Sequence, residues 1–447
     1  MNINESVFKT YDIRGKVGEE LDEKLSYLVG RAFSDWLPNN GIVAVGRDMR
    51  PDSKQLSDSL IQGLIDQGRT VWDIGEVTSD MIYFAVGKYN LAGGAVVTAS
   101  HNPGKYNGIK LYRDNVIAVG LESGLDKIKD LIISEKIKPK SKITGKIISK
   151  NITEDWVKHC LKFVHNLKPF NIAIDAGNGM AGAILPSILP HLPLKIKEMF
   201  FDLDGTFPNH EANPQKPENL KDLISEVVNN SLDFGVAFDG DGDRAGFVDD
   251  KGRPVLGSDL TTMVSKLYLD QYPGSHIIHE VRTSRATREF IKEWGGKPVK
   301  TKAGRVFIGS EMKRLNSPFG GETTGHLFFK ENYSADSGLI AALLVIQAIS
   351  DSGEKLSELV DKYRKYYMPP EINFEIEDKL AVLNRIKERF KDAETDETDG
   401  LSVDYPDWWF NIRISNTEPV IRLNIEGLNK KLVDSKLKIL TDVINTK

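Results

Sequence analysis

Apolar and polar residues alternate along the first 110 residues in blocks that predict strands and helices in turn. Short apolar runs such as GIVAVG at 41–46 and GGAVV at 93–97 predict buried strands. The segment 53–68 between them carries apolar residues at helical spacing. Strands that alternate with helices predict an α/β layer with a largely parallel sheet.

The same order of predicted elements begins again near residue 170 and a third time near residue 276. Each round ends with an apolar strand, a loop of Gly, Asp, Ser or Thr, and a second apolar strand. Similarity at a period of roughly 100 residues, a usual domain size, predicts three domains of one topology. Beyond Pro370, a helix and further strands predict a smaller unit that does not match the other three.

The predicted fold class is therefore α/β, with three similar mixed-sheet α/β domains and a smaller C-terminal α+β domain around a central cleft. The expected domain boundaries are 1–148, 149–253, 254–366 and 367–447. We expect the special loops at strand ends, because α/β proteins place their chemistry there.

Composition excludes several classes of protein. The 447 residues are 40% hydrophobic and 28% charged, and 59 basic against 64 acidic residues give a net charge of −5, so nothing indicates binding to nucleic acid or a membrane. Cys160 is the only cysteine, which excludes an intrachain disulfide. The N-terminus lacks a signal-peptide core, and the longest apolar run, 339–346, is too short to span a bilayer. We expect a cytoplasmic protein without an obligate protein partner.

The segment DGDGDR places Asp239, Asp241 and Asp243 at every second position, with glycines between them. Three carboxylates this close repel one another, so the pattern predicts a divalent cation, with magnesium (Mg2+) preferred. A calcium loop of the helix-loop-helix kind would need Gly and Glu at the positions of Arg244 and Asp250.

Ser100 and His101 stand side by side in the segment TASHNPGKYNGIK at 98–110. Adjacent side chains in a turning backbone point in different directions, so we do not expect His101 to take the proton of Ser100 easily, as a triad base would. The sequence therefore favours hydrolytic chemistry only weakly.

Two further loops carry polar groups that suit a phosphosugar. GGETTGH at 320–326 offers the Glu322 carboxylate to sugar hydroxyls, and His326 taken alone is more readily structural than catalytic. RISNTEP at 413–419 suits a phosphate or, equally well, a capping turn. Its candidate phosphate donors are Arg413, Ser415, Asn416 and Thr417.

Together, these motifs resemble those of the α-D-phosphohexomutases. YDIRG, TASHNP, DGDGDR, GETTGH and RISNTEP occur in the order and approximate spacing of that family, over essentially the whole chain. The phosphomannomutase/phosphoglucomutase branch is the most similar. The resemblance implies an isomerase that interconverts hexose 1-phosphate and hexose 6-phosphate, of mannose and/or glucose. The reaction would pass through a phosphoserine and a hexose 1,6-bisphosphate that turns over within the site.

The resemblance also assigns roles to individual residues. Ser100 would carry the phosphate and, with Asp239, Asp241 and Asp243, bind Mg2+, while hexose 1,6-bisphosphate would act as activator. Lys110 would be the general acid/base, Arg14 and Arg244 the cations near the transferring phosphate, and His101 would orient the loop. The phosphosugar would be bound by Glu322, Thr324, His326, Arg413, Ser415, Asn416, Thr417, Arg282 and Arg305.

Three positions depart from the branch pattern. Thr324 stands where serine is common, and Arg282 and Arg305 stand where relatives often carry Lys and His. These changes bear on the hexose preference, so phosphoglucosamine mutase is an alternative. A non-catalytic calcium- or sugar-binding protein is a second alternative, which predicts calcium affinity without a covalent phosphate.

Overall fold

The computed structural model describes residues 3–414 and 420–446 of the chain. It divides into two compact units: the first contains Met1–Leu256 and Thr324–Ser357, and the second contains Gly257–Thr323 and Glu358–Lys447. Within the described ranges, no helix has the length and apolar character needed to cross a membrane.

The N-terminal part of the first unit is an α/β layer built on a mixed sheet. The strand order is β1-β5-β4-β2-β3-β7, with β6 paired to β5. Strand β2 runs parallel to β3 and β4, whereas β5 is antiparallel to β1 and β4. In chain order, the elements are β1 Ile13–Lys16, α1 Glu23–Trp36, β2 Val43–Arg47, α2 Ser53–Asp66, β3 Val71–Glu76, α3 Ser79–Lys88, β4 Gly93–Val97, β5 Tyr106–Arg113, β6 Ile117–Ala118, α4 Leu125–Ile133 and β7 Ile147–Ser149.

Local sequence explains how this layer closes. Asp22 caps the N-terminus of helix α1, because its side chain accepts a hydrogen bond of 2.7 Å from the Leu25 amide. Gly30 lets α1 pack closely on α2, because a Cβ there would lie 2.2 Å from the carbonyl oxygen of Leu60. The reversal from β4 to antiparallel β5 places residues 98–105 in a loop at the carboxyl end of β4.

The second α/β layer of the first unit has the strand order β12-β11-β10-β8-β9. Strand β8 is parallel to β9 and β10, and β10 is antiparallel to β11. The turn from β10 to β11 therefore carries the acidic segment at the carboxyl end of a buried strand. The elements are α5 Thr153–Cys160, β8 Phe170–Asp175, α6 Ala181–Ile188, β9 Leu194–Met199, α7 Lys221–Asn229, β10 Phe234–Phe238, β11 Ala245–Asp249 and β12 Pro254–Val255.

The third stretch begins in the second unit, where β13 is parallel to β14 and β15. Its later elements include an antiparallel pair, β16 with β17, and helix α11, which holds the longest apolar run of the chain in a buried position. The elements are α8 Gly257–Gln271, β13 His276–Glu280, α9 Arg285–Glu293, β14 Lys297–Thr301, α10 Arg305–Leu315, β15 Phe319–Gly321, β16 Leu327–Phe329, β17 Ala335–Asp336, α11 Gly338–Ser352 and α12 Leu356–Tyr363.

The C-terminal part of the second unit is an antiparallel sheet in the order β18-β22-β21-β20-β19, packed with two helices. Phe410 and Leu423 are fully buried in its core. These observations confirm the predicted class of three α/β domains and a smaller α+β domain. The sequence analysis missed β18, β19 and α14. The elements are β18 Ile372–Glu375, α13 Lys379–Arg389, β19 Glu394–Asp396, β20 Leu401–Asp404, β21 Trp408–Ile414, β22 Val420–Gly427 and α14 Lys430–Asn445.

Candidate active site

The acidic segment between β10 and β11 forms a cluster of buried carboxylates. Asp239, Asp241 and Asp243 are each 0% exposed, and each offers an oxygen within 4.8 Å of the others. Gly242 has φ +73°, a conformation that glycine adopts without strain and that keeps the turn tight. The chain thus brings together the three carboxylates that the sequence singled out.

Two cations from the same unit neutralise part of this charge. Lys110 of β5 donates hydrogen bonds to Asp241 Oδ2 at 2.5 Å and to Asp243 Oδ2 at 2.6 Å. Arg244 donates from Nε to Asp239 Oδ2 at 2.8 Å, and its backbone amide donates to Asp239 Oδ1 at 3.1 Å. Buried ion pairs of this kind are favourable only when both partners are well hydrogen bonded.

The pKa values of two of these carboxylates shift in opposite directions. Burial raises the pKa of Asp239, and the Arg244 charge only partly opposes it. For Asp241, burial and the Asp243 charge act to raise the pKa, but the contacts with Lys110 and Ser79 outweigh them and the pKa is lowered. Asp241 therefore favours the ionised form that binds a cation.

The residues present fit a divalent metal ion. Asp241 Oδ1 is buried and has no hydrogen-bond partner among the residues that the structure describes. The donor set of three carboxylates, with the Ser100 hydroxyl 3.0 Å from Asp239 Oδ2, consists of oxygen atoms, which hard cations such as Mg2+ prefer. The acidic cluster is therefore compatible with a metal ion.

Ser100 lies in the loop between β4 and β5 with φ +52°, in the left-handed region that serine rarely adopts. Its Oγ donates to Asp239 Oδ2, and Arg244 Nη2 donates to this Oγ at 3.4 Å. Its backbone amide donates to Thr98 Oγ1 at 2.9 Å. The hydroxyl is thus held between the acidic cluster and one guanidinium.

The expectation that the side chains of Ser100 and His101 point in different directions is wrong. His101 Nδ1 lies 3.2 Å from Ser100 Oγ, because the positive φ of Ser100 brings the neighbouring side chains together. His101 Nδ1 also contacts Arg244 Nη2. Burial, followed by the charges of Arg244 and Arg14, holds the pKa of His101 well below its usual range. The ring is therefore a poor proton acceptor despite its position.

Two further candidates of the first unit lie near this cluster. Arg14 of β1 donates from Nη1 to Asn102 Oδ1 at 2.7 Å and also contacts Asp12. His326 Nδ1 lies 2.6 Å from Asp336 Oδ2 and 3.7 Å from Asp243 Oδ1. The structure therefore places His326, which the sequence grouped with the sugar-binding loop, beside the acidic cluster.

The second unit contains a separate group of candidates around Glu371. Arg413 Nη2 lies 3.2 Å from this carboxylate, Arg282 Nη1 3.7 Å and Arg422 Nη1 3.5 Å. Arg282 also donates from Nε to Glu280 at 2.9 Å. Three arginines thus converge on the Glu371 carboxylate, and Arg413 Nε is buried without a hydrogen-bond partner within residues 3–414 and 420–446. Such a group suits an anionic ligand.

The other predicted substrate-binding residues are distributed between the two units. Glu322 belongs to the second unit, where its Oε1 accepts a hydrogen bond of 2.5 Å from the Gly304 amide. Arg305 is the first residue of α10 in the same unit, whereas Thr324 belongs to the first unit. Three predicted residues lie outside the described part of the chain: Ser415, Asn416 and Thr417.

The sequence analysis missed several residues that the structure brings to these groups. Ser79 contacts Asp241, Asp336 pairs with His326, and Glu371 joins the arginines of the second unit. Arg50, in the charged segment GRDMRPDS after β2, was also overlooked. Its position after a buried strand is the same signal that identified the other loops.

Comparison with known proteins gives consistent matches over the chain. Models of phosphoglucomutase/phosphomannomutase alpha/beta/alpha domains I, II and III match residues 5–138, 154–252 and 257–366, and the C-terminal domain model matches residues 371–437. Phosphohexose mutases of Xanthomonas campestris are 39% identical over 424 residues, covering 94% of each chain. A phosphomannomutase of Salmonella montevideo is 35% identical, covering 99% of this chain and 100% of the relative.

The fold is similarly matched by solved structures. A phosphoglucomutase/phosphomannomutase family protein from Burkholderia thailandensis superposes with a TM-score of 0.92 at 29% identity. The match covers 99% of this chain and 98% of that one. The similarity thus includes every domain that carries a candidate residue.

Proposed function

We propose, since the chain belongs to the α-D-phosphohexomutase superfamily, that Ser100 stores and transfers the phosphoryl group of its reaction. Membership makes the protein a phosphohexose mutase, an isomerase. One observation carries the assignment of Ser100: its Oγ lies 3.0 Å from Asp239 Oδ2, beside three fully buried carboxylates. The proposed domain boundaries are 1–148, 149–253, 254–366 and 367–447.

In the proposed cycle, the 6-hydroxyl of a hexose 1-phosphate attacks the phosphorus of phospho-Ser100. The bond from phosphorus to Ser100 Oγ breaks, and the hydroxyl proton is transferred away by a general base. The resulting hexose 1,6-bisphosphate turns over. Ser100 Oγ then attacks the phosphorus at position 1, the bond from that phosphorus to the sugar O1 breaks, and O1 takes up a proton from the general acid. This step restores phospho-Ser100 and releases hexose 6-phosphate. Trace bisphosphate would act as activator by phosphorylating Ser100.

Residues of the first unit would serve this transfer. Asp239, Asp241 and Asp243 would hold Mg2+, which supplies charge neutralisation at a transferring phosphoryl group when bound. Arg244, which contacts Ser100 Oγ, and Arg14, which holds Asn102, would stabilise the phosphoryl charge. Lys110 is proposed as general acid/base, because it is buried among the acidic residues with its ammonium group as donor.

Most of the residues that would bind the substrate belong to the second unit. The convergence of three arginines on Glu371 supports phosphate binding by Arg413, with Arg282 contributing positive charge. Glu322 would accept hydrogen bonds from ring hydroxyls, with Thr324, His326 and Arg305 as further contacts. Ser415, Asn416 and Thr417 are proposed as additional phosphate donors on their motif alone. Mannose and glucose 1-phosphates are the proposed substrates.

The test combines mass spectrometry with a coupled assay. We expect a phosphate on Ser100 and formation of hexose 6-phosphate from mannose or glucose 1-phosphate with Mg2+ and trace bisphosphate. Ser100→Ala should lose most of this activity, whereas Ser26→Ala, which removes a buried hydroxyl of α1, should retain it. A fully active Ser100→Ala protein would refute the proposal. Turnover of glucosamine phosphate in preference to both hexoses would assign the alternative substrate.

A further inference from the structure

Arg50 is buried beneath the loop that carries Ser100, and only 3% of it is exposed. A guanidinium has five N–H donors in a fixed planar fork, and here every donor has an acceptor. Nε donates to Asp48 Oδ2 at 3.1 Å. The other four donors reach backbone carbonyl oxygens of the loop, namely those of Ser100 (2.8 Å), Asn102 (2.6 Å), Pro103 (3.0 Å) and Tyr106 (2.9 Å).

These bonds fix the loop in a conformation that it would not otherwise favour. Ser100 has φ +52°, and residues held in such regions persist only when their surroundings determine them. Four carbonyl groups that converge on one point would repel one another without a cation at that point. The guanidinium therefore supplies both the charge and the directions that the curved loop requires.

The backbone of Arg50 is itself held in place by hydrogen bonds. The Arg50 amide donates to Asp48 Oδ1 at 3.0 Å, and the Ser53 hydroxyl contacts the same oxygen. Asn107 of β5 donates to Ser53 Oγ at 2.9 Å. The start of α2 and the end of the Ser100 loop are thus connected through Asp48. The backbone position from which the Arg50 side chain extends is therefore fixed.

The opposite side of Arg50 is closed by the second α/β layer of the same unit. The Phe207 ring lies 5.0 Å from the guanidinium carbon, a cation–π distance. A Cβ on Gly205 would lie 2.4 Å from Arg50 Cα, and a Cβ on Gly240 would lie 2.5 Å from the Ser100 carbonyl oxygen. Arg50 and the loop therefore have little room to shift.

We infer that Arg50 is a positioning residue that holds Ser100 at the acidic cluster in the geometry required for phosphoryl transfer. The inference rests on the proposed role of Ser100. Arg50 bonds to the Ser100 backbone and acts on its hydroxyl through the loop. Transfer needs the attacking and leaving oxygens in line, and small displacements from that geometry are costly in rate. Lysine cannot replace the fork, because its three donors share one nitrogen.

Arg50→Lys tests the inference while it retains the positive charge. We expect kcat to fall by about 100-fold, because the reacting oxygen is misplaced. KM for hexose 1-phosphate should stay near the wild-type value, since the proposed substrate-binding residues are untouched. The phosphate content of Ser100, measured by mass spectrometry in each preparation, should account for only a small part of the loss.

Arg69→Lys is the matched control. Arg69 is 4% exposed in the same domain and donates to Ser34 Oγ at 2.9 Å and to the Ser34 carbonyl at 2.6 Å. The Arg69→Lys substitution should lower the midpoint temperature of thermal unfolding to a similar extent as Arg50→Lys but leave kcat unchanged. If both variants lose kcat in proportion to stability, Arg50 is only structural and the inference fails.

Phe207→Leu provides a second variant should Arg50→Lys fail to fold. It retains an apolar contact but removes the ring that covers the guanidinium, so we expect a several-fold fall in kcat with KM retained. Unchanged kcat in a folded variant would overturn the inference. Ser100→Ala separates the two claims: an active Ser100→Ala protein refutes the proposed function. An essential Ser100 combined with a fully active Arg50→Lys protein refutes only the role of Arg50.

Discussion

Ser100 Oγ donates a 3.0 Å hydrogen bond to Asp239 Oδ2 across 139 residues of chain. Asp239 in turn accepts from Arg244 at 2.8 Å, and Arg244 reaches the same serine hydroxyl. A hydroxyl, a carboxylate and a guanidinium therefore form one connected group. Because the carboxylate is buried, replacing any one of the three groups changes the hydrogen bonding and electrostatic environment of the other two.

Replacement of Asp241 by Asn should weaken metal binding. The substitution removes a buried carboxylate whose Oδ1 has no hydrogen-bond partner among the described residues. We expect the magnesium concentration for half-maximal activity to rise by about tenfold or more. Activity titrations with Mg2+ provide the measurement. Asp58→Asn, at an exposed residue paired with Lys54, should leave the titration unchanged; an equal shift in both variants would argue against a metal at the acidic cluster.

Replacement of Arg413 by Lys should affect substrate binding more than chemistry. Lysine retains the charge but loses the paired donors that suit a phosphate. We expect KM for hexose 1-phosphate to rise by about tenfold, the effect of losing one charged hydrogen bond. Steady-state kinetics measure this change. Arg385→Lys is the control within the C-terminal domain, because Arg385 donates to the carbonyl oxygens of Val443 and Ile444. A fall in kcat alone would contradict a phosphate-binding role.

The lowered pKa of His159 predicts that the folded protein loses stability in mild acid. Burial lowers its pKa from 6.5 to about 4, so the unfolded chain takes up a proton between these values while the folded chain does not. Stability should therefore fall as pH drops below 6.5. The ring is partly exposed, so we expect a loss of about 1 kcal/mol from this group between pH 7 and pH 5.

Urea unfolding at both pH values, compared with His159→Gln, measures the contribution of this group. Glutamine keeps a donor for Asn332 Oδ1, which lies 3.2 Å from His159 Nε2, but it does not titrate. The variant should lose less stability than the wild type between pH 7 and pH 5. The same loss in both proteins would show that other groups control the acid response.

Sequence patterns predicted the elements and loops that depend on local order. Apolar runs identified β2 and β4, and the spacing of three aspartates identified the acidic cluster. The contact between Lys110 and Asp241 spans 131 residues, so no local pattern could reveal it. The proximity of His101 to Ser100 depends on one positive φ, a property set by the surrounding loop. Arg50 was missed because four of its five acceptors are backbone carbonyls, which any residue provides.

The long separations within the Ser100 site have a consequence for how the protein is made. Ser100 emerges from the ribosome well before Asp239, and His326 follows later still. Contacts between such distant parts of a chain form slowly, because the entropy cost of closing a large loop comes before the contacts that offset it. During synthesis the nascent chain therefore holds a serine without its acidic partner. Mutase activity should accordingly appear only after these distant segments of the chain have come together.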